Sequence, residues 1–311
     1  MRPALVLVLA AAVLAAPAAS AGVASDPAPH IAGCPVFPRD NAFNRRVDRL
    51  PVSADSARIV ASIGPVEPLH ADFGSGTYEG RPIGIPYDVV GRRTPRSAVG
   101  FDYASESDRV RYPIPRGVHI EGGAGAGGDR HAILVDRDAC RLYELYALEQ
   151  RGGRWHAGSG ATWSLRSNRV RPARWTSADA AGLPILPGLA RYDEVRRGQI
   201  DHALRFTVRR TRRAYVYPAR HFASSLTDPS LPRMGERLRL KRSVDVRSFP
   251  PQARIVLRAL RAYGMIVADN GSDWFVSGTP SSGWDNDQLA TLRRIRGSDF
   301  EVVDTSSLPR R

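Results

Sequence analysis

Lysine is almost missing from this chain. Of its 45 basic residues only Lys241 is a lysine, and 31 acidic residues leave a net charge of +14. A positive balance of that size suits an anionic partner. The arginines are scattered, however, with only short clusters such as Arg209-Arg210 and Arg212-Arg213. No helix-turn-helix, zinc-finger or RNP pattern accompanies them, so no nucleic-acid partner is expected. The charge reads as a solvated surface with a leaning toward acidic glycans. Long apolar runs are absent after residue 16, and a bilayer needs about 20 such residues, so no membrane span is expected. No internal repeat and no long low-complexity linker is present. Complete catalytic signatures are absent too. The nucleophile-elbow pattern is approached only at Gly158-Ser159-Gly160, one residue short and outside a strand-turn-helix context.

Cysteine is scarce, at two residues, Cys34 and Cys140. What precedes them decides how they are read. Met1-Arg2, an apolar stretch over 4–16, Pro17 and Ala19-Ser20-Ala21 form a secretory signal peptide cleaved after Ala21. The mature chain is therefore expected to be a secreted or periplasmic soluble monomer. Ile31-Ala32-Gly33-Cys34 resembles a lipoprotein box, but Asp26, Pro27, Pro29 and His30 separate it from the apolar core. In an oxidising compartment two lone cysteines pair. Closing so long a loop contributes about 4–5 kcal/mol in loop-entropy terms and leaves no nucleophilic thiol.

The remaining chain predicts a mainly β protein: a β-sandwich or jelly-roll-like body over 34–235 with an integral α+β cap over 236–304. A mobile leader over 22–33 precedes it and a tail over 305–311 follows. Strands are expected at 83–89, 98–103, 118–121, 130–135, 141–148, 161–165, 200–208, 214–217, 236–246, 265–268, 274–277 and 300–303. They are short, β-branched or aromatic, and bounded by turns. Helices are expected at 56–63, from Pro250-Pro251 to Gly264, and at 288–295. A turn over 269–273 separates two of the late strands. The apolar segment 175–189 is expected to cross the sheet as an ordered loop.

Chemistry concentrates around a glycine-rich bend running from Val118-His119-Ile120-Glu121 to Asp129-Arg130-His131. If both flanks are strands, alternation puts His119 with Glu121 and Asp129 with His131. Two imidazoles and two carboxylates would then share a pocket. Three jobs fit: glycosidic acid/base work by paired carboxylates, proton transfer by a histidine held by Asp129, or a divalent metal at His119, Glu121 and His131. A polar hairpin satisfying its own hydrogen bonds is the plainer alternative. His202 alternates with apolar neighbours, as a core histidine or a base on a concave face. Arg205, on the opposite face with Asp201, reads as a surface ion pair. His70 and Asp72 form a loop or a further part of the cleft, and Trp163 and Trp175 are either core or sugar-stacking surfaces.

The chain resembles a widespread family of secreted bacterial proteins. The resemblance extends from Cys34-Pro35-Val36-Phe37-Pro38 to Asp299-Phe300-Glu301-Val302-Val303. It is carried by the 175–189 segment, by Tyr263-Gly264-Met265-Ile266-Val267-Ala268-Asp269-Asn270-Gly271-Ser272, and by Ile120-Glu121-Gly122-Gly123 with Asp129-Arg130-His131. It implies that body and cap form one unit and lends no catalytic residue. Polysaccharide hydrolysis or β-elimination is the expected activity, with a non-catalytic glycan-binding or envelope protein and a metal-dependent hydrolase as alternatives.

Overall fold

The computed structural model describes residues 28–123 and 125–309. The expected signal peptide, residues 22–27 of the leader and the last two residues of the tail lie outside them. The fold is mainly β, with several sheets and few helices. Within the expected leader, β1 (His30–Ile31) turns back on β2 (Cys34–Pro35) and buries Ile31. Cys34 is bonded to Cys140, with Cα atoms 5.4 Å apart across a sequence separation of 106.

Helix α1 (Ser56–Ile63) forms where expected. Ser56, Ile59, Val60 and Ile63 supply its buried face, at the spacing of one helical stripe. Strand β3 (His70–Asp72) follows, then the small hairpin β4 (Thr77–Tyr78) and β5 (Arg81–Pro82). The first large sheet draws on β6 (Tyr87–Val90), β8 (Ala132–Asp136), β9 (Arg141–Tyr146) and β12 (Ser159–Ser164). Its order is β12-β9-β8-β6, with only the β8–β6 pair parallel. A side sheet joins β7 (Val99–Phe101), β10 (Glu149–Arg151) and β11 (Arg154–Ala157). Both faces of the four-stranded sheet are buried. Ile133, Val135 and Leu142 enter one core, while Ala132, Leu134, Tyr143 and Leu145 enter another, as period-2 alternation requires.

Helix α2 (Tyr192–Arg197) leads to β13 (Leu204–Val208) and β14 (Arg237–Leu240). Pro251 opens α3 (Pro251–Ala262) without sacrificing a helical hydrogen bond. The helix ends before Gly264, whose φ of +71° and closeness to the Leu238 carbonyl exclude a side chain. β15 (Met265–Asn270), β16 (Phe275–Ser277), α4 (Asn286–Ala290) and β17 (Phe300–Val302) complete the chain. The second large sheet has the order β17-β14-β15-β13-β16-β3.

Four expectations are corrected, and one strand arrangement was not anticipated. Residues 118–121 form no strand, and 214–217 contribute only an isolated bridge from Tyr215 to Met234. The strand expected over 236–246 stops at Leu240. β15 and β16 do not pair across their turn, because β13 inserts between them, parallel to one and antiparallel to the other. The boundary at residue 235 also cuts through a sheet: β3 and β13, assigned to the body, pair with strands of the supposed cap.

The 175–189 segment ties the sheets together. Ala181 donates its backbone N–H to Ala268 of β15, and Ala190, just beyond the segment, donates to Ser277 of β16. On the other side Ser159 of β12 donates its hydroxyl to the Ser177 carbonyl. Ile185 and Leu186 donate to the buried Glu144 carboxylate of β9. Ala181 and Leu183 pack in the six-stranded core, whereas Ile185, Leu186 and Leu189 pack against the four-stranded sheet. The candidate site lies along this seam.

Candidate active site

The glycine-rich bend closes where Glu121 donates its N–H to the His131 carbonyl at 2.9 Å. Gly122 next to this closure has φ of +71°, and a Cβ there would lie 2.8 Å from that of Ala126. Only glycine fits so tight a bend. His131 sits immediately before β8, on the face that meets the 175–189 segment. Its Nδ1 donates to Glu121 Oε2 at 2.6 Å and its Nε2 to the Ala178 carbonyl at 2.9 Å. A carbonyl and a carboxylate can only accept, so both ring nitrogens carry protons and the ring is a cation. Burial works against that charge, yet Glu121 and Asp129 outweigh it and push the His131 pKa up to about 9. Burial likewise acts to raise Glu121, but the adjacent imidazolium holds it below the usual carboxylate value.

The second half of the centre comes from the six-stranded sheet. Arg205 of β13 is buried, and its guanidinium grips both oxygens of buried Asp179 at 3.2 and 3.0 Å and Ser277 Oγ at 2.6 Å. Asp269 Oδ2 lies 3.9 Å from the same guanidinium, and only 22% of the Asp269 side chain is exposed. Burial, reinforced by the Asp179 charge, pushes the Asp269 pKa up to about 7, against the pull of Arg205 and His131. Burial also acts on Arg205, which Asp179, Asp269 and Glu121 nevertheless hold charged.

A bulge aims Asp269 at this centre. Arg205 pairs with Ile266 and Phe206 with Val267, but Thr207 pairs with Asp269, leaving Ala268 as the extra residue. In unbroken register Ala268 would stand beside Thr207 on the Arg205 face and Asp269 would turn to the opposite one. One inserted residue reverses that, the usual effect of a β-bulge beside a site. The carbonyl of Ala268 accepts the hydrogen bond from Ala181. Asp72 ends β3 in register with Ser277 of β16. Its pKa is raised by burial and by Glu121, and lowered in part by Arg205, so it borders the same centre. Asp129 lies at the solvent edge, raised by burial and drawn down by His131. The Tyr146 ring tilts toward His131 at 5.9 Å between ring centroids.

The structure thus brings together Glu121, Asp129, His131 and Asp72 of the expected residues. It does not bring in His119, because the coil over 118–121 lacks strand alternation. Asp88 captures the His119 ring at 2.6 Å and its backbone N–H at 2.9 Å, leaving the side chain 71% exposed. The expected metal trio of His119, Glu121 and His131 therefore does not converge. Among the described residues no group of three or more His, Cys, Asp or Glu side chains is arranged to hold a metal ion. Nor is His131 a base held by Asp129: Glu121 holds it, as a cation.

His202 is corrected to a core histidine. It is fully buried, its Nδ1 on the Ala203 carbonyl and its Nε2 3.1 Å from Glu194, which also binds Arg191. Trp163 is buried core, and the Arg171 guanidinium lies between it and half-buried Trp175, 5.7 and 5.5 Å from the two rings. Trp163 offers no open stacking face, and Arg171 occupies a face of Trp175. His70 stacks on Phe275 at 4.1 Å and shares with Asp72 and Tyr78 the wall of a 480 Å3 depression beside the centre.

Asp179, Arg205 and Asp269 escaped sequence reasoning. Arg205 was paired with Asp201 on a surface, whereas it is buried on Asp179. A signal did exist: Asp179 is a lone acid in an apolar segment, and Asp269 ends an apolar strand. No family model, no curated protein and no solved structure matches the chain, so the reading of this centre rests on its own geometry.

Proposed function

We propose that the chain is an exported polysaccharide-active enzyme, a glycoside hydrolase or a polysaccharide lyase, working at the centre formed by Asp269, Glu121, His131 and Arg205. The observation that carries this is the divergence of two carboxyl groups around one guanidinium. Asp269 holds its proton up to about pH 7, while Glu121, clamped to an imidazolium, stays ionised. Environments that drive two acids apart supply a proton donor and an anion at the same pH, as glycosidic cleavage needs. Asp269 is the group that protonates the leaving oxygen. Glu121, or Asp72 beside it, faces the developing positive charge or activates water. Arg205 and His131 fix these protonation states. The depression walled by His70, Asp72 and Tyr78 is where a sugar unit would enter. The buried disulfide is in keeping with an oxidising compartment, and among the described residues no helix is long and apolar enough to cross a membrane.

The test is a screen of neutral and uronic-acid polysaccharides, reading reducing ends and unsaturated products with wild type and Asp269→Asn. The general-acid term is typically worth about 100-fold or more, so the variant is expected to lose at least that in kcat. Wild-type rate is expected to fall as pH rises through about 7, as Asp269 gives up its proton. Unsaturated products would select elimination over hydrolysis. Retention of full turnover by Asp269→Asn would remove Asp269 as the general acid, and affinity without turnover on every polymer would replace the enzyme with a glycan-binding protein.

A further inference from the structure

A cluster of arginines lies away from the acid/base centre, beside Arg141 of β9 and Thr162 and Ser164 of β12. A cleft of 890 Å3 there is lined by Arg109, Arg141, Arg169, Arg171 and Arg220, with Asp108 as the one acidic side chain of the lining. Two of the five are structural. Arg171 is almost wholly buried, ion-paired to Asp108 at 3.0 Å, donating to the Thr176 and Glu106 carbonyls and wedged between two tryptophans. Arg220 donates from Nε to the Arg171 carbonyl. Arg141 is exposed and, among the described residues, reaches only Thr162 Oγ1 and the Tyr143 ring. The side chains of Arg109 and Arg169 are exposed and make no hydrogen bond or ion pair among the described residues.

We infer that this cleft binds the carboxylate groups of an acidic polysaccharide, resting on the reading of the chain as polysaccharide-active. Three exposed guanidinium groups around a rigid wall present the planar forks that match carboxylates two bonds at a time. The cleft is poorly equipped for single-stranded nucleic acid, which needs open aromatic faces for its bases. Trp163 is buried in the core, and Arg171 covers Trp175. The 175–189 segment starts at the wall of this cleft, where Thr176 anchors Arg171, and within three residues supplies Asp179 to the catalytic centre. A polymer seated on the arginines therefore lies beside the segment that positions the chemistry.

The experiment is calorimetric titration of the full chain with oligogalacturonate, neutral dextran oligomer and a single-stranded DNA of equal charge. Wild type, Arg109→Ala/Arg169→Ala and Asp269→Asn are compared. Because Arg109 and Arg169 support no other group, the double variant is expected to melt as wild type does. Oligogalacturonate is expected to bind wild type, to bind the double variant at least tenfold more weakly, and to weaken as salt rises. Asp269→Asn is expected to bind within twofold of wild type. Equal affinity of the double variant, equal affinity for dextran, or tighter binding of the DNA would overturn the assignment. Arginine-dependent binding with no polysaccharide turned over leaves the cleft and removes the enzyme. Turnover with KM and affinity unchanged in the double variant does the reverse.

Discussion

The His131–Glu121 pair sets a pH dependence that can be read directly in stability. The His131 pKa lies near 9 in the folded protein, above its ordinary value of 6.5. The His131 charge therefore contributes in full below about pH 6.5 as long as Glu121 stays ionised, and its contribution is lost as pH rises through 9. That difference corresponds to about 3 kcal/mol. Urea unfolding at pH 6 and pH 9.5 should show a loss of that order in wild type, and His131→Gln should show less than half of it. Asp269 adds to the same trend, although its charged form is the unfavourable one. A carboxyl raised to about 7 is destabilising once ionised, so Asp269→Asn should stabilise the fold at pH 8, by about 4 kcal/mol, and do little at pH 4. A variant both more stable and inactive would mark Asp269 as a residue retained for chemistry. The Glu121–His131 half of the centre was legible because both residues flank the same bend. The Arg205–Asp179 half was not, because its members are 26 positions apart and meet only across a sheet.

At the scale of elements, helices were the most readable. The stripe of Ile59, Val60 and Ile63 and the proline-to-glycine span around α3 carry local signals, and both helices formed where those signals put them. Strand pairing carries no such signal. Nothing in the turn after Asn270 announces that β13 will enter between β15 and β16, nor that Ala268 will bulge and aim Asp269 inward. The 175–189 segment has little regular hydrogen bonding of its own beyond two short turns, so its place depends on anchors such as Glu144. Burial raises the Glu144 pKa to about 7, while the Ile185 and Leu186 N–H groups pull it down. Glu144→Ala leaves both donors buried without an acceptor, at a cost of about 2–4 kcal/mol. Chemical denaturation should record that loss. Turnover should fall with it, because the same segment carries Asp179.

For the whole molecule, one covalent link joins the two ends of a long stretch. Cys34 and Cys140 enclose β3 to β8, including the glycine-rich bend and Asp72. Replacing both by alanine releases that loop in the unfolded chain, and the stability lost should be about 4 kcal/mol. Thermal melts of the double alanine variant, and of wild type with and without reductant, measure it. A melting point that moved with neither would mean that sheet packing alone holds the loop closed. Because β3 and β13 belong to the same sheet as the C-terminal strands, unfolding is expected as a single transition rather than as body and cap in turn.

The sequence by itself determined what depends on near neighbours and on composition: a mainly β chain, two helices with their ends, a disulfide, and a glycine bend with acids and histidines at its rims. Tertiary structure decided which of those side chains meet. His119 was lost to Asp88 and His202 to Glu194. Arg205, Asp179 and Asp269 entered through a bulge and a crossing segment. The physical reason is that a shift of one residue in a strand exchanges its two faces. Such a shift is fixed by pairing with distant strands, not by the residues on either side.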